Sequence, residues 1–222
     1  MGYDEAEKLT HIKEFTKKFL QSDKTGHDMT HIERVLAMTQ HILVTEPTAN
    51  AFVAQAAALL HDTYDDKLFD DVELAKARVI KLLTDIAVPA EQQVDIFNII
   101  DNMSWSKQRF GKPVRLSLAG KIVQDADRLD AIGAIAIARA IQFGAIKGDP
   151  LYDPAMPPRR IATKAAYRKG EGNTVINHFY EKLFLLKDYL NTLEGQRIGI
   201  ERDRIMHDFV NQFEKEWQQK DY

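Results

Sequence analysis

The 222-residue sequence contains no cysteine, which excludes disulfide bonds and any metal site built from thiolates. A metal site in this chain must therefore use histidine, carboxylate or water ligands. Net charge is also small, −3 at pH 7 from 30 basic and 33 acidic residues. Bulk electrostatic attraction to nucleic acid or to an anionic membrane is therefore not expected.

Long hydrophobic runs are missing as well. No stretch approaches the ~18 apolar residues of a membrane span, and the opening MGYDEAEKLT lacks the apolar segment of a secretory signal. These absences predict a cytoplasmic protein without a membrane partner. Hydrophobic residues still make up 45% of the chain, enough for one sizeable core, so we expect a single domain over residues 1–222.

Helical periodicity is what the sequence has in abundance, and no convincing alternating strand pattern appears. We predict an all-α helical bundle with helices near 4–21, 28–45, 50–63, 71–86, 90–103, 117–128, 130–143, 173–193 and 197–218. A long irregular segment, 144–172, is rich in glycine, proline and basic residues and precedes the C-terminal helices of 173–218. It is either a solvated connector or a basic flap that meets a polyphosphate.

Residue types that bind metals occur in a definite order along the chain. His31 lies on the apolar stripe of one predicted helix, and the pair His61–Asp62 directly follows the apolar stretch 51–60. A run of acidic residues at 125–130 ends a later predicted helix. Polar groups at the inner end of a buried helix need partners, and a metal is one such partner. Two imidazoles and two carboxylates suit one divalent cation such as Mn²⁺, Zn²⁺ or Fe²⁺.

The residues alone do not identify the fourth ligand, because Asp125, Asp127 and Asp130 are all acidic and close in sequence. Further acidic groups, Asp65 and Asp66, follow the His-Asp pair, and Lys67 comes next. A metal, spare carboxylates and a lysine are the parts needed for metal-assisted hydrolysis of a phosphate ester or anhydride.

Four strings, GHDMTHIERV, ALLHDTYDDK, IVQDADRLDAIGAIAIARA and NHFYEKLFLLKDYLNT, are similar to the YpgQ/YedJ-type subfamily of HD-domain phosphohydrolases. The resemblance implies an HD-type helical fold with its motif core at about 26–130. It also implies metal ligands at His31, His61, Asp62 and Asp125 and one divalent ion, Mn²⁺ first, with Mg²⁺, Fe²⁺, Co²⁺ and Ni²⁺ also compatible. The implied reaction converts a nucleoside triphosphate to a monophosphate and pyrophosphate.

A second resemblance concerns the acidic pair. Hydrolase domains of the SpoT/Rel type carry Glu-Asp at the places that Asp65 and Asp66 occupy here. This similarity implies that Asp65 and Asp66 act in catalysis. Lys67 and Arg128 are the predicted phosphate contacts because they flank the metal motifs, and His27 is either a further phosphate contact or an exposed turn residue.

Other functions remain open at this stage. The chain could be a 5′-nucleotidase or a ppGpp-type alarmone hydrolase, which would share the metal site and differ in the pocket. A non-catalytic alternative is a regulatory HD protein that binds a nucleotide and uses the metal structurally. The expected partner is a small-molecule nucleotide rather than nucleic acid, and a homodimer is left open.

Overall fold

A computed structural model describes residues 3–20, 29–65, 69, 71–112, 114–160, 163 and 173–220. Within these ranges the chain is helical and contains no strand, which confirms the predicted all-α class. The helices are α1 (Glu5–Phe19), α2 (Met29–Leu43), α3 (Ala51–Leu60), α4 (Val72–Asp85), α5 (Ala90–Asn102), α6 (Trp105–Phe110), α7 (Leu118–Asp130), α8 (Ala134–Lys147), α9 (Val175–Glu181) and α10 (Leu193–Trp217). A 3₁₀ helix, Leu183–Tyr189, lies between α9 and α10.

The structure differs from the predicted elements in three places. Helix α8 runs to Lys147, so the first four residues of the predicted irregular segment 144–172 are helical. Helix α6 was not predicted, because six residues are too few to show a period, although Ser104 caps it by accepting from the Lys107 N–H at 3.3 Å. The predicted helix 173–193 is interrupted after Glu181, and the chain continues as the 3₁₀ helix.

The chain divides into two compact units, Met1–Asp127 and Arg128–Tyr222. In the first unit, α3 is the central helix and packs against α1, α2 and α5. Eight of its ten residues are buried, all of them apolar. A helix that is apolar on all sides belongs inside a core, and this explains why polar groups at its end are also drawn inside.

In the second unit, α9 and α10 pack against α8 and the 3₁₀ helix. The start of the predicted irregular segment is tied down here, because Val175 and Ile176 donate backbone N–H groups to the carbonyls of Pro150 and Leu151. Arg159 forms an ion pair with Glu181 at 2.8 Å. The described part of this segment is therefore anchored to α9.

Among the described residues, no single helix is long and apolar enough to cross a membrane. Only α7 and α8 taken together, as a bent pair, reach that length and composition.

Candidate metal centre

Three helices of the first unit bring two imidazoles and two carboxylates together. His31 from α2 and His61 from the end of α3 approach with their Nε2 atoms 3.2 Å apart. The Oδ2 atom of Asp62 lies 3.6 Å and 3.5 Å from these two nitrogens. The Oδ1 atom of Asp127, from α7, lies 3.6 Å from His31 and 3.8 Å from His61. Ligand atoms of His31, His61 and Asp127 all lie within 4.8 Å of one another, so this group could hold a metal ion.

The end of α3 fixes the orientation of the His61 ring. The Nδ1 atom of His61 lies 2.9 Å from the carbonyl oxygen of Ala58. A carbonyl can only accept, so Nδ1 carries the proton, and the neutral ring turns its Nε2 lone pair toward His31. A backbone carbonyl that holds the second nitrogen in this way is the usual support of a metal-bound histidine.

Two threonines satisfy the neighbouring carbonyls at the same helix end. Thr16 of α1 donates its hydroxyl to the carbonyl of Leu59 at 3.0 Å, and Thr63 donates to that of Leu60 at 2.6 Å. The last carbonyls of a helix have no partners within it, and leaving them buried without hydrogen bonds would be costly. These side chains therefore allow α3 to end inside the core beside the site.

The charges around His61 favour a cation at this site. Burial alone would lower the pKa of His61, but the charges of Asp62 and Asp127, the Ala58 hydrogen bond and the charge of Asp65 outweigh it and raise that pKa. At 3.2 Å, either a proton bridges the two Nε2 atoms or a cation receives both lone pairs. Two imidazoles and two carboxylates without thiolate fit a divalent ion of intermediate hardness.

The fourth ligand is predicted to be Asp125, and the structure groups Asp127 of the same helix with the two histidines. Asp125 is fully buried, and Asp127 is the aspartate of α7 that is grouped with the histidines. Residues two apart on a helix point about 200° away from each other, so only one of the two can face the site. The side chain of Asp127 is 32% exposed, while those of His31 and Asp62 are nearly buried, at 4% and 6%. Solvent therefore reaches the site on the Asp127 side.

The predicted catalytic and phosphate-binding residues have different outcomes. Asp65 lies close enough to His61 for its charge to contribute to the raised pKa of that ring. Asp66, Lys67 and His27 lie outside the described residues.

Arg128 is buried, and its guanidinium donates to the carbonyl of Tyr189 within the second unit. The guanidinium that is predicted to contact phosphate therefore already donates a hydrogen bond to a backbone carbonyl. Asp130 accepts a hydrogen bond from the Arg139 guanidinium at 2.9 Å.

Sequence reasoning missed a polar network beside the His-Asp pair. The Tyr64 hydroxyl donates to Asp101 Oδ1 at 3.1 Å, and Lys76 Nζ lies 2.6 Å from Asp101 Oδ2. Burial and the Asp101 carboxylate raise the pKa of the Tyr64 phenol, so it stays protonated as a donor. The three residues are far apart in sequence, and nothing in the local pattern of any one of them predicts the contact.

Comparison with known proteins gives a consistent assignment. The HD domain profile matches residues 29–132. YpgQ of Bacillus subtilis is 35% identical over 96% of this chain and 95% of its own length. A structure of YpgQ in complex with ADP has a TM-score of 0.75 at 33% identity, covering 96% of each chain.

Two further solved structures are similar over nearly their whole length. A protein from Lactobacillus plantarum has a TM-score of 0.85 at 42% identity, covering 96% of this chain and 97% of that one. An HD-superfamily hydrolase from Bacillus thuringiensis has a TM-score of 0.77 at 37% identity, covering 97% and 99%. The paired histidines, the adjacent aspartate and these matches together show that the chain belongs to the HD-domain superfamily, as a YpgQ-like HD hydrolase.

Proposed function

We propose that this protein is a divalent-metal-dependent phosphohydrolase that converts a nucleoside triphosphate to a nucleoside monophosphate and pyrophosphate. The observation that carries the proposal is the 3.2 Å approach of the His31 and His61 Nε2 atoms, with Asp62 and Asp127 within 4 Å of both. In this proposal His31, His61, Asp62 and Asp127 hold the ion, and Asp127 takes the place first predicted for Asp125. A divalent ion there would supply Lewis acidity and a nucleophilic water at neutral pH. Mn²⁺ is the proposed ion because the donor set is mixed nitrogen and oxygen without sulfur.

The proposal of a nucleotide substrate is supported by the relatives. YpgQ, which matches this chain over nearly its whole length, has been solved with ADP bound. Binding of an adenine nucleotide by this relative supports a phosphorylated nucleotide as the substrate proposed here. The likeness supports the substrate class and leaves the base and the number of phosphates to experiment.

The reaction proposed here forms and breaks one bond each at the α-phosphorus. The oxygen of water bonds to that phosphorus, the bond from it to the α–β bridging oxygen breaks, and pyrophosphate leaves with the bridging oxygen. In this proposal Asp65 holds the attacking water or takes its proton, and the effect of its charge on the pKa of His61 supports this role. Asp66 shares this proposed role, and Lys67, Arg128 and His27 are the proposed contacts to phosphoryl oxygens.

The products distinguish this function from its rivals. The experiment incubates wild-type protein and Mn²⁺ with a panel of nucleoside triphosphates, monophosphates and ppGpp, and measures pyrophosphate and orthophosphate separately. We expect pyrophosphate and a monophosphate from at least one triphosphate, lost with chelator and in Asp62→Ala. Orthophosphate from monophosphates would instead identify a 5′-nucleotidase, and pyrophosphate from ppGpp alone an alarmone hydrolase. No turnover despite bound metal would support a regulatory role.

A further inference from the structure

Asp101 of α5 binds side chains from two other parts of the first unit. Its Oδ1 atom accepts from the Tyr64 hydroxyl at 3.1 Å, and its Oδ2 atom lies 2.6 Å from Lys76 Nζ. Its carbonyl also accepts from Lys107 of α6 at 2.8 Å. One residue therefore connects the turn after α3 with α4, α5 and α6.

Tyr64 connects this network to the candidate metal centre. Tyr64 is two residues after Asp62 and directly precedes Asp65, in the turn that follows α3. Its ring is 6% exposed and packs against Phe97, with centroids 6.3 Å apart. Lys76 Nζ lies 5.3 Å from the centroid of the Tyr64 ring. Tyr64 is thus held by both its ring and its hydroxyl, and the backbone on either side carries the acidic groups of the site.

Tyr64 and Lys76 also lie on either side, in sequence, of the acidic residues that follow the His-Asp pair. Tyr64 precedes them and Lys76 follows them, and both bind the carboxylate of Asp101. A single side chain of α5 therefore fixes the chain before and after residues 65–75.

We propose that Tyr64, Asp101 and Lys76 form a positioning network that sets the placement of Asp62 and Asp65 relative to the two histidines. The proposal rests on the proposed function for its kinetic consequences only. None of the three side chains needs to touch substrate. Their effect is transmitted through the turn, and misplacement of catalytic groups by about 1 Å can cost about 100-fold in rate.

The test compares Tyr64→Phe with a matched control in the same protein. Tyr64→Phe removes the hydroxyl and keeps the packed ring. Tyr180→Phe makes the same deletion at a tyrosine whose hydroxyl donates to Glu214 at 2.9 Å, in the second unit. We expect kcat for the triphosphate to fall about 10- to 100-fold in Tyr64→Phe, with KM changed less than about threefold and wild-type kcat in Tyr180→Phe.

A double variant separates positioning from general destabilisation. Asp101→Asn keeps the shape of the side chain and removes its charge toward Lys76. If Tyr64 and Asp101 act through one contact, Tyr64→Phe/Asp101→Asn should have a kcat close to the lower of the two single variants. Multiplicative losses that track the thermal midpoint would overturn the proposal.

A spectroscopic reading tests the network without turnover. Wild-type protein and the variants are loaded with Co²⁺ in place of the proposed ion, and the visible absorption and metal stoichiometry are measured. We expect Tyr64→Phe to bind one ion with a shifted spectrum, because Asp62 has moved, and Tyr180→Phe to match wild type. Wild-type spectra and kcat in both Tyr64→Phe and Asp101→Asn would overturn the positioning role. A wild-type protein without activity on nucleotides would contradict the proposed function. The Co²⁺ spectra would still show whether Tyr64 and Asp101 position Asp62.

Discussion

At the scale of single residues, the sequence predicts both histidines that the structure brings together, and it leaves the choice between Asp125 and Asp127 on α7 open. His31 and His61–Asp62 could be predicted because polar groups on apolar helices need partners. Asp125 and Asp127 are both plausible in the sequence, and only the phase of α7 against the core distinguishes them. Within residues 122–130, every residue except Asp127 is at most 5% exposed, and this difference appears only in the folded chain.

The choice between Asp125 and Asp127 as metal ligand can be tested by neutralising each aspartate in turn. Asp127→Asn should weaken Mn²⁺ binding by more than about 100-fold, the upper end for changes outside the ligand shell. Asp125→Asn should keep Mn²⁺ affinity within about threefold, because Asp127 contacts the histidines and a helix turns by about 200° over two residues. Calorimetric titration with Mn²⁺ measures both, and thermal unfolding checks that each variant is folded. Loss of Mn²⁺ binding in Asp125→Asn, with binding retained in Asp127→Asn, would identify Asp125 as the ligand.

The pKa of His61 gives a prediction for pH. Because the folded pKa of His61 is raised, its protonated form stabilises the metal-free fold below the unfolded value of about 6.5, and this contribution is lost as pH rises through the folded pKa. A metal requires the unprotonated ring, so its affinity rises over the same interval. The increase in thermal midpoint caused by Mn²⁺ should therefore be larger at about pH 8 than at about pH 6. An increase that is independent of pH would argue against histidine ligands.

At the scale of elements, α3 was well predicted because it is apolar throughout and ends at a polar pair. What the sequence could not show was how its last carbonyls are satisfied. Thr16 lies 43 residues before Leu59, and the hydrogen bond between them depends on how α1 packs against α3.

Loss of that hydrogen bond should destabilise the fold. Thr16→Val keeps the side-chain volume and leaves the Leu59 carbonyl buried without its donor, which should cost about 1–3 kcal/mol. Thr10→Val removes a similar hydroxyl from an exposed face of α1, where Thr10 bonds only to Ala6, and should change stability by less than about 0.5 kcal/mol. Urea unfolding of both variants measures the difference. Equal effects would mean that Thr16 is not a cap for α3.

The irregular segment is the element that sequence analysis described least well. Its charge and its glycine and proline content suggested a basic flap, but Arg159 is bound to Glu181, whose side chain is 1% exposed. That ion pair joins residues 22 apart, and no local pattern predicts it.

Arg159 and Arg160 should therefore differ sharply. Arg159→Ala leaves Glu181 buried without its cation and should cost about 3 kcal/mol. Arg160 is exposed, so Arg160→Ala should stay within about 0.5 kcal/mol. Thermal and urea unfolding of the single variants measure this. A raised KM for the triphosphate in an Arg159→Ala variant of wild-type stability would instead indicate that Arg159 contacts the substrate.

At the scale of the whole molecule, periodicity and composition were enough for the all-α class and for most helix positions. They gave one domain as the expectation, whereas the chain forms two compact units that meet in sequence at Asp127–Arg128. The boundary lies inside α7, and a continuous helix carries no break in composition that would reveal it. Whether the units act as one domain in solution stays a prediction.

The central claim is that the paired histidines and Asp62 support water attack on the α-phosphorus. The most direct measurement is hydrolysis of a nucleoside triphosphate in ¹⁸O-labelled water with Mn²⁺, with the products analysed by mass spectrometry. We expect one ¹⁸O atom in the nucleoside monophosphate and none in pyrophosphate, with no turnover after chelation or in His61→Ala. Label in orthophosphate or pyrophosphate, or equal turnover in His61→Ala, would contradict it.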